Sequence, residues 1–202
     1  TRWWSSAASD VYKRQLLNGK PKIIVLEISI PSNSKYTIES KSMKLFLNSF
    51  FDKTYSKQAE VINILTERIS KKCNSEVKIV VKTSFKTFNS DKFTNKAGLL
   101  VYEGFRSICP VTSQPDWGSI YLYSSTNTLN KKEIFDFLFS LRNHGGFHEH
   151  CIEKTFLYVK ETFSVDHLEI CGRFFRRGGI DINPIRSTQK KLFFENFREF
   201  NQ

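Results

Sequence analysis

The sequence predicts an α+β fold: an antiparallel sheet carrying two helices on one face. Three observations lead there. Ile120 and Leu122 alternate with polar positions over residues 118–124, two helical periods follow in succession between Asn130 and Lys160, and a second alternation runs over residues 167–174. Two helices between two strands, joined by short connections, return the chain to the same sheet from one side. Alternating βαβ units are absent, and so are the glycine-rich patterns GxGxxG and the P-loop, which argues against a Rossmann-type domain.

Taken in order, residues 1–15 show neither period. Trp3 and Trp4 stand in a Ser/Ala-rich stretch, and this segment is expected to be a tail foreign to the fold. KIIVLEISI, residues 22–30, is β-branched and stops at Pro31, as a strand does. Val61, Leu65 and Ile69 recur every four residues over 57–72 and predict a helix. Val77, Ile79 and Val81 alternate over 76–85 and predict a half-buried strand. Asn130 with Glu133 three positions on is a capping-box-like start, with Ile134, Phe137, Leu138 and Leu141 as the apolar stripe behind it. Gly145 and Gly146 end that helix. A second follows over residues 147–160 with Ile152, Phe156 and Val159 inward. Leu168, Ile170, Gly172 and Phe174 then share one face of a strand that leads into Arg176, Arg177, Gly178 and Gly179.

Composition narrows the class. Of 202 residues 40% are hydrophobic and 14% aromatic, which excludes a disordered or collagen-like chain. No apolar run approaches the ~20 residues of a membrane span, and the run from Ile23 to Leu26 is too short for a signal-peptide core, so a soluble, cytoplasmic protein is expected. The net charge of +11 is compatible with nucleic acid, anionic lipid or a phosphorylated ligand, and equally with a Lys-rich compositional bias. Cys73, Cys109, Cys151 and Cys171 form no CxxC pair and fit no zinc spacing, so the question is whether one thiol is reactive.

Four segments concentrate reactive groups. ESKSMKL, from Glu39, offers a carboxylate, hydroxyls and two amines, or simply a helix start with a solvated face. Cys109 lies beside Pro110 in a two-proline loop, seven residues before Asp116, as a nucleophile ahead of a proton donor would, or as a small buried apolar residue. His148 and Glu149 open a helix, where the dipole favours an ionised carboxylate or ordinary capping. His144, His148 and His150 lack the spacing of a zinc site, and no metal is expected. Arg173, Arg176 and Arg177 before Gly178-Gly179 suit either a phosphate clamp or a basic hairpin turn.

Together these segments, ESKSMKLFLNSF (39–50), CPVTSQPDWGS (109–119), FHEHCIE (147–153) and RRGGIDINP (176–184), resemble the NADPH-dependent 7-cyano-7-deazaguanine reductases, the QueF family, over most of residues 35–188. The resemblance implies a tunnelling fold of two modules, with 16–95 an incomplete first module and 96–202 the second. It implies reduction of a nitrile to a primary amine in queuosine biosynthesis, a step in tRNA modification that needs no direct contact with nucleic acid. NADPH is the implied cofactor, and a homo-oligomer, in first place a dimer, the implied assembly. Cys109 then matches the nucleophile that forms a thioimide, Asp116 the proton donor, and His148 a position for proton handling and substrate contact. Ile38, Glu39, Ser40, His148 and Glu149 match substrate contacts; Ser40, Lys41, Arg177 and Gly178 match NADPH contacts. Phe175 stands where the family usually has Thr, and Gly145-Gly146 replaces a more polar pair. Two rivals share the fold: an amidine-forming relative using ammonia, which would have no use for NADPH, and a non-catalytic basic RNA-binding protein.

Overall fold

A computed structural model describes residues 4–9, 15–17, 20–22, 24–50, 53–87, 98–125, 129–200 and 202. Trp3 and the expected boundary at 95/96 lie outside them. The chain divides into two compact units. Ser6–Ser84 and Arg176–Asp181 form one; Phe85–Phe175 and Ile182–Gln202 form most of the other.

β1 (Trp4–Ser9), which enters the first unit at Ser6, lies beside β4 (Val25–Pro31), although the sequence shows no strand period there. β2 (Gln15–Leu17) and β3 (Lys20–Lys22) pair as a short hairpin. The predicted strand forms as β4, and along it Leu26, Ile28 and Ile30 turn inward. Helix α1 (Ser40–Asn48) precedes β5 (Thr54–Tyr55), which runs parallel to β2. Helix α2 (Gln58–Cys73) buries Val61, Leu65, Ile69 and Cys73, one residue per turn. β6 (Lys78–Lys82) closes antiparallel on β4, from Val25↔Lys82 to Ser29↔Lys78.

The second unit is the predicted α+β layer. After β7 (Lys86–Thr87), the strands β8 (Leu99–Ile108), β9 (Pro115–Ser124), β10 (Leu168–Phe174) and β11 (Asn183–Ser187) make an antiparallel sheet in the order β11-β10-β9-β8. Helices α3 (Lys131–Ser140) and α4 (His148–Phe163) lie between β9 and β10 in the chain. Ile134, Leu138, Ile152, Phe156 and Val159 from the helices share one core with Phe105, Ile120, Leu122, Leu168, Ile170 and Phe174 from the strands. The predicted cap forms: Asn130 Oδ1 accepts from the Glu133 N–H at 3.3 Å.

The opposite face is covered too, which no periodicity announced. Glu169, Cys171 and Arg173 point to it and are fully buried, because the segment ending in β12 (Phe197–Arg198) folds across them. Glu169 accepts from the Phe193 and Phe194 N–H groups, and Arg173 donates to Asn196 Oδ1 and the Glu195 carbonyl. Polar residues are tolerated here because each meets a complementary group.

Candidate functional site

Cys109 and Asp116 share the β8–β9 hairpin. The sequence suggested a loop across both, but pairing continues to Ser107↔Asp116 and Ile108↔Pro115, and only residues 109–114 turn. The turn is closed by the Cys109 N–H donating to the Gln114 carbonyl and the Ser113 N–H donating to the Cys109 carbonyl, both at 2.9 Å. Cross-strand partners point to the same face, so Asp116 lies with Ser107 on the helix side, where it is 3% exposed.

A second contact docks α4 beside this hairpin. The Ile108 N–H donates to the His144 carbonyl at 2.9 Å, and the Gly146 N–H donates to the Ile108 carbonyl at 3.0 Å. The chain turns into α4 immediately afterwards. His148, the first residue of that helix, comes to rest with Nε2 3.5 Å from Asp116 Oδ1. The Phe174 ring meets the His148 ring edge to face at 4.2 Å, holding the imidazole from the side. Glu149 follows in the first turn, half-buried, where the helix dipole favours an anion. One turn on, Cys151 is fully buried. Burial pushes its thiol up, the Asp116 charge adds to this, and a hydrogen bond with Ser107 works against it. Cys151 therefore neighbours the hairpin, a feature the sequence reading did not single out.

His144 and His150 stand 5.7 Å apart, centre to centre, with Lys154 Nζ 3.5 Å from His144 Nε2. Among the described residues no three His, Cys, Asp or Glu side chains are placed to hold a metal ion.

Arg173 does not join a phosphate clamp: it is fully buried on β10 in the second unit, its guanidinium bonded to Asn196 and the Glu195 carbonyl, and the other sequence candidates belong to the first unit. Ile38 and Glu39 lead into α1, and Glu39 caps it. Its carboxylate accepts from the Lys41 N–H (2.8 Å), the Ser42 N–H (2.9 Å) and the Ser42 hydroxyl (3.1 Å). Burial pushes this carboxyl up, but those bonds and the Lys41 charge outweigh it, and it sits below the usual carboxylate range. A carboxylate has about four acceptor sites, so capping leaves room for one more donor. Ser40 begins the helix and is half-buried; Lys41 is exposed.

Arg176–Asp181 lies in the same unit as α1. The Arg177 N–H donates to the Ile180 carbonyl at 2.9 Å and the Ile180 N–H returns to Arg177 at 3.3 Å. Between them Gly178 (φ +60°) and Gly179 (φ +81°) are both left-handed, the signature of a type I′ turn. Lys44, the second of the two amines in ESKSMKL but not one matched to a cofactor contact, has its stem against this turn: a Cβ on Gly178 would come 3.2 Å from Lys44 Cδ. Its spacing of three from Lys41 was the available signal, since residues i and i+3 share a helix face.

Two sequence families match the chain. Residues 11–81 match "Nitrile reductase, 7-cyano-7-deazaguanine-reductase N-term", and residues 115–192 match "QueF-like protein". The first match starts inside the stretch expected to be foreign. A protein of Buchnera aphidicola subsp. Schizaphis graminum named NADPH-dependent 7-cyano-7-deazaguanine reductase is 34% identical, over 85% of this chain and 77% of its own. Proteins of the same name from Coxiella burnetii (strain Dugway 5J108-111) and Legionella pneumophila (strain Lens) are 32% and 34% identical, over 96% and 87% of this chain and 80% and 72% of theirs. A solved structure, the archaeosine synthase QueF-Like in the apo form, aligns with a TM-score of 0.39 at 14% identity, over 46% of this chain and 96% of that one, too slight a likeness to bear on function.

Proposed function

The chain belongs to the family of NADPH-dependent 7-cyano-7-deazaguanine reductases, and from that membership we propose that it reduces the nitrile of 7-cyano-7-deazaguanine to a primary aminomethyl group. The balance is one nitrile, two NADPH and two protons giving one amine and two NADP+. The reading carries with it the tunnelling fold, with 16–95 an incomplete first module and 96–202 the second, a homodimer as assembly, the cytoplasm as location, and a place in queuosine synthesis.

The observation that carries the mechanism is the hairpin: Cys109 at its turn, Asp116 on its returning strand, and His148 Nε2 3.5 Å from that carboxylate. A nitrile carbon is electrophilic, and a thiol can add across the triple bond. The Cys109 thiol gives its proton to the Asp116–His148 pair, its sulfur forms the S–C bond as one C–N π bond breaks, and Asp116 passes a proton on to the nitrogen, giving a thioimide. His148, held by Phe174, orients that carboxylate and relays its proton. Collapse of the once-reduced adduct expels the Cys109 thiolate and leaves an imine.

NADPH, when bound, supplies the hydride for each of the two reductions. The residues present fit it: Lys41, Lys44 and Arg177 are cationic, and the Lys44 stem lies against Gly178 of the Arg177 turn. Ser40 would add a hydroxyl. Ile38, Glu39 and Glu149 would read the base, the carboxylates accepting from its N–H donors. A basic turn and an α1 start built together are what an ammonia-using relative would not require.

Titrating the chain with 7-cyano-7-deazaguanine, without NADPH, tests this. A new ultraviolet band from the thioimide is expected in the wild type and absent in Cys109→Ala. Full nitrile turnover by Cys109→Ala would overturn the mechanism.

A further inference from the structure

The register between β10 and β11 runs from Glu169↔Ser187 to Cys171↔Ile185. One step further stands Pro184, which has no amide hydrogen to give to a ladder. The chain leaves the second unit after Phe175 and rejoins it at Ile182. The stem of the Arg177 turn is therefore the part of the pair where the ladder is interrupted.

Gln202 occupies that place, 8% exposed. Its Nε2 donates to the Phe174 carbonyl at 3.1 Å and to Asn183 Oδ1 at 2.7 Å, one partner at the end of β10 and one at the start of β11. Its Oε1 accepts from the Glu199 N–H at 3.1 Å, and its own N–H donates to the Glu199 carbonyl at 3.3 Å. The Phe174 carbonyl can only accept, so the amide must present nitrogen to it. Glu199 is itself anchored on β9, accepting from the Ser119 hydroxyl at 3.0 Å and from the Tyr121 hydroxyl.

We infer that Gln202 is a positioning residue for NADPH: its amide bridges the ends of β10 and β11 beside Pro184, and so fixes the separation of the two chain ends from which Arg176–Asp181 extends. The inference rests on the reading of Arg177 and Gly178 as cofactor contacts. The Arg177–Ile180 pair closes the tip of the excursion and Gln202 closes its base. With the base open, the segment gains conformations in which the turn is not presented, and affinity falls by the fraction lost. Thioimide formation precedes any need for NADPH and does not use the turn.

Two variants test it. Gln202→Glu keeps the shape but sets acceptors against the Phe174 carbonyl and Asn183 Oδ1. Gln202→Met fills the same space with no donor, and serves if the Glu variant fails to fold. Calorimetric titration of the whole chain with NADP+ gives the dissociation constant, and the ultraviolet band with the nitrile alone gives thioimide formation. The expected result is an NADP+ dissociation constant raised about tenfold with the thioimide band at wild-type amplitude. Unchanged NADP+ affinity in Gln202→Met, or loss of the band together with affinity, would overturn the inference. The wild type is measured first: failure there to form the band or to bind NADP+ would defeat the functional reading, and the inference with it.

Discussion

Replacing Gly178 by alanine probes the proposed cofactor turn without touching the cysteine hairpin. Gly178 has φ +60°, and an L-residue forced into the left-handed region costs about 1–2 kcal/mol. The added Cβ would also lie 3.2 and 3.3 Å from Lys44 Cδ and Cε, but that side chain is a flexible stem and can yield a few tenths of an ångström. Backbone strain is therefore the larger cost. If the formed turn is the state that binds, its population and the NADP+ affinity fall together, by a factor of about 5–30. Calorimetry with NADP+ reads this directly, while the thioimide band should keep its wild-type amplitude. Gly178→Asn separates the two causes, since asparagine tolerates the left-handed region better than alanine yet is bulkier. Strain predicts that Asn binds NADP+ more tightly than Ala; a clash with Lys44 predicts the reverse. An NADP+ affinity within twofold of wild type in Gly178→Ala would refute the assignment of this turn to the cofactor.

Asp116→Asn keeps the shape of a buried residue while removing its acidity, so thermal stability should change little and kcat should fall about 10²–10⁴-fold; a kcat within threefold of wild type would remove Asp116 as the proton donor. Glu199 has its carboxyl raised, first by burial, against the Tyr121 and Ser119 hydroxyls and the Arg173 charge, which lower it. A carboxyl raised in the folded state is held best when protonated, so its contribution to stability falls as pH rises from the ordinary carboxylate range through the raised value. The melting temperature of Glu199→Gln minus that of the wild type should therefore climb with pH across that window; a difference that stays flat or declines would contradict the burial argument.

Where one periodicity governs a segment the sequence was a sufficient guide. The faces of α2, α4 and β10 follow it, since Val61, Leu65, Ile69, Ile152, Phe156, Leu168 and Ile170 all go inward. The strand β8 escaped because its pattern changes face midway. Gly104, with φ +71°, sits in a bulge where the register shifts between Tyr102 and Phe105, so no single alternation spans Leu99–Ile108. Asp116 was read into a loop because Pro115 cannot donate to a ladder. The structure shows why it can nevertheless begin a strand: the Ile108 N–H and carbonyl opposite it are bonded outward, to His144 and Gly146. The roles of Gln202 and of the buried Glu169 and Arg173 were illegible for a different reason. They depend on which distant backbone groups happen to lack a partner, and spacing along the chain does not carry that.

The four cysteines show how far composition goes and where geometry must take over. From spacing alone any of them could be a small core residue. The structure separates them by access. Cys73, Cys151 and Cys171 are fully buried, and burial pushes all three thiols up, that of Cys171 to about 12. A thiol pushed up by burial is less often the thiolate that attacks an electrophile. Cys73 lies at the end of a helix stripe and Cys171 on the covered face of the sheet, where no ligand can approach without opening a core. Cys109 alone shows surface, 9%, and lies in a hairpin turn on the far side of which a carboxylate is held. The proposed nucleophile thus differs from the other three thiols in where the backbone turns and in what the returning strand carries.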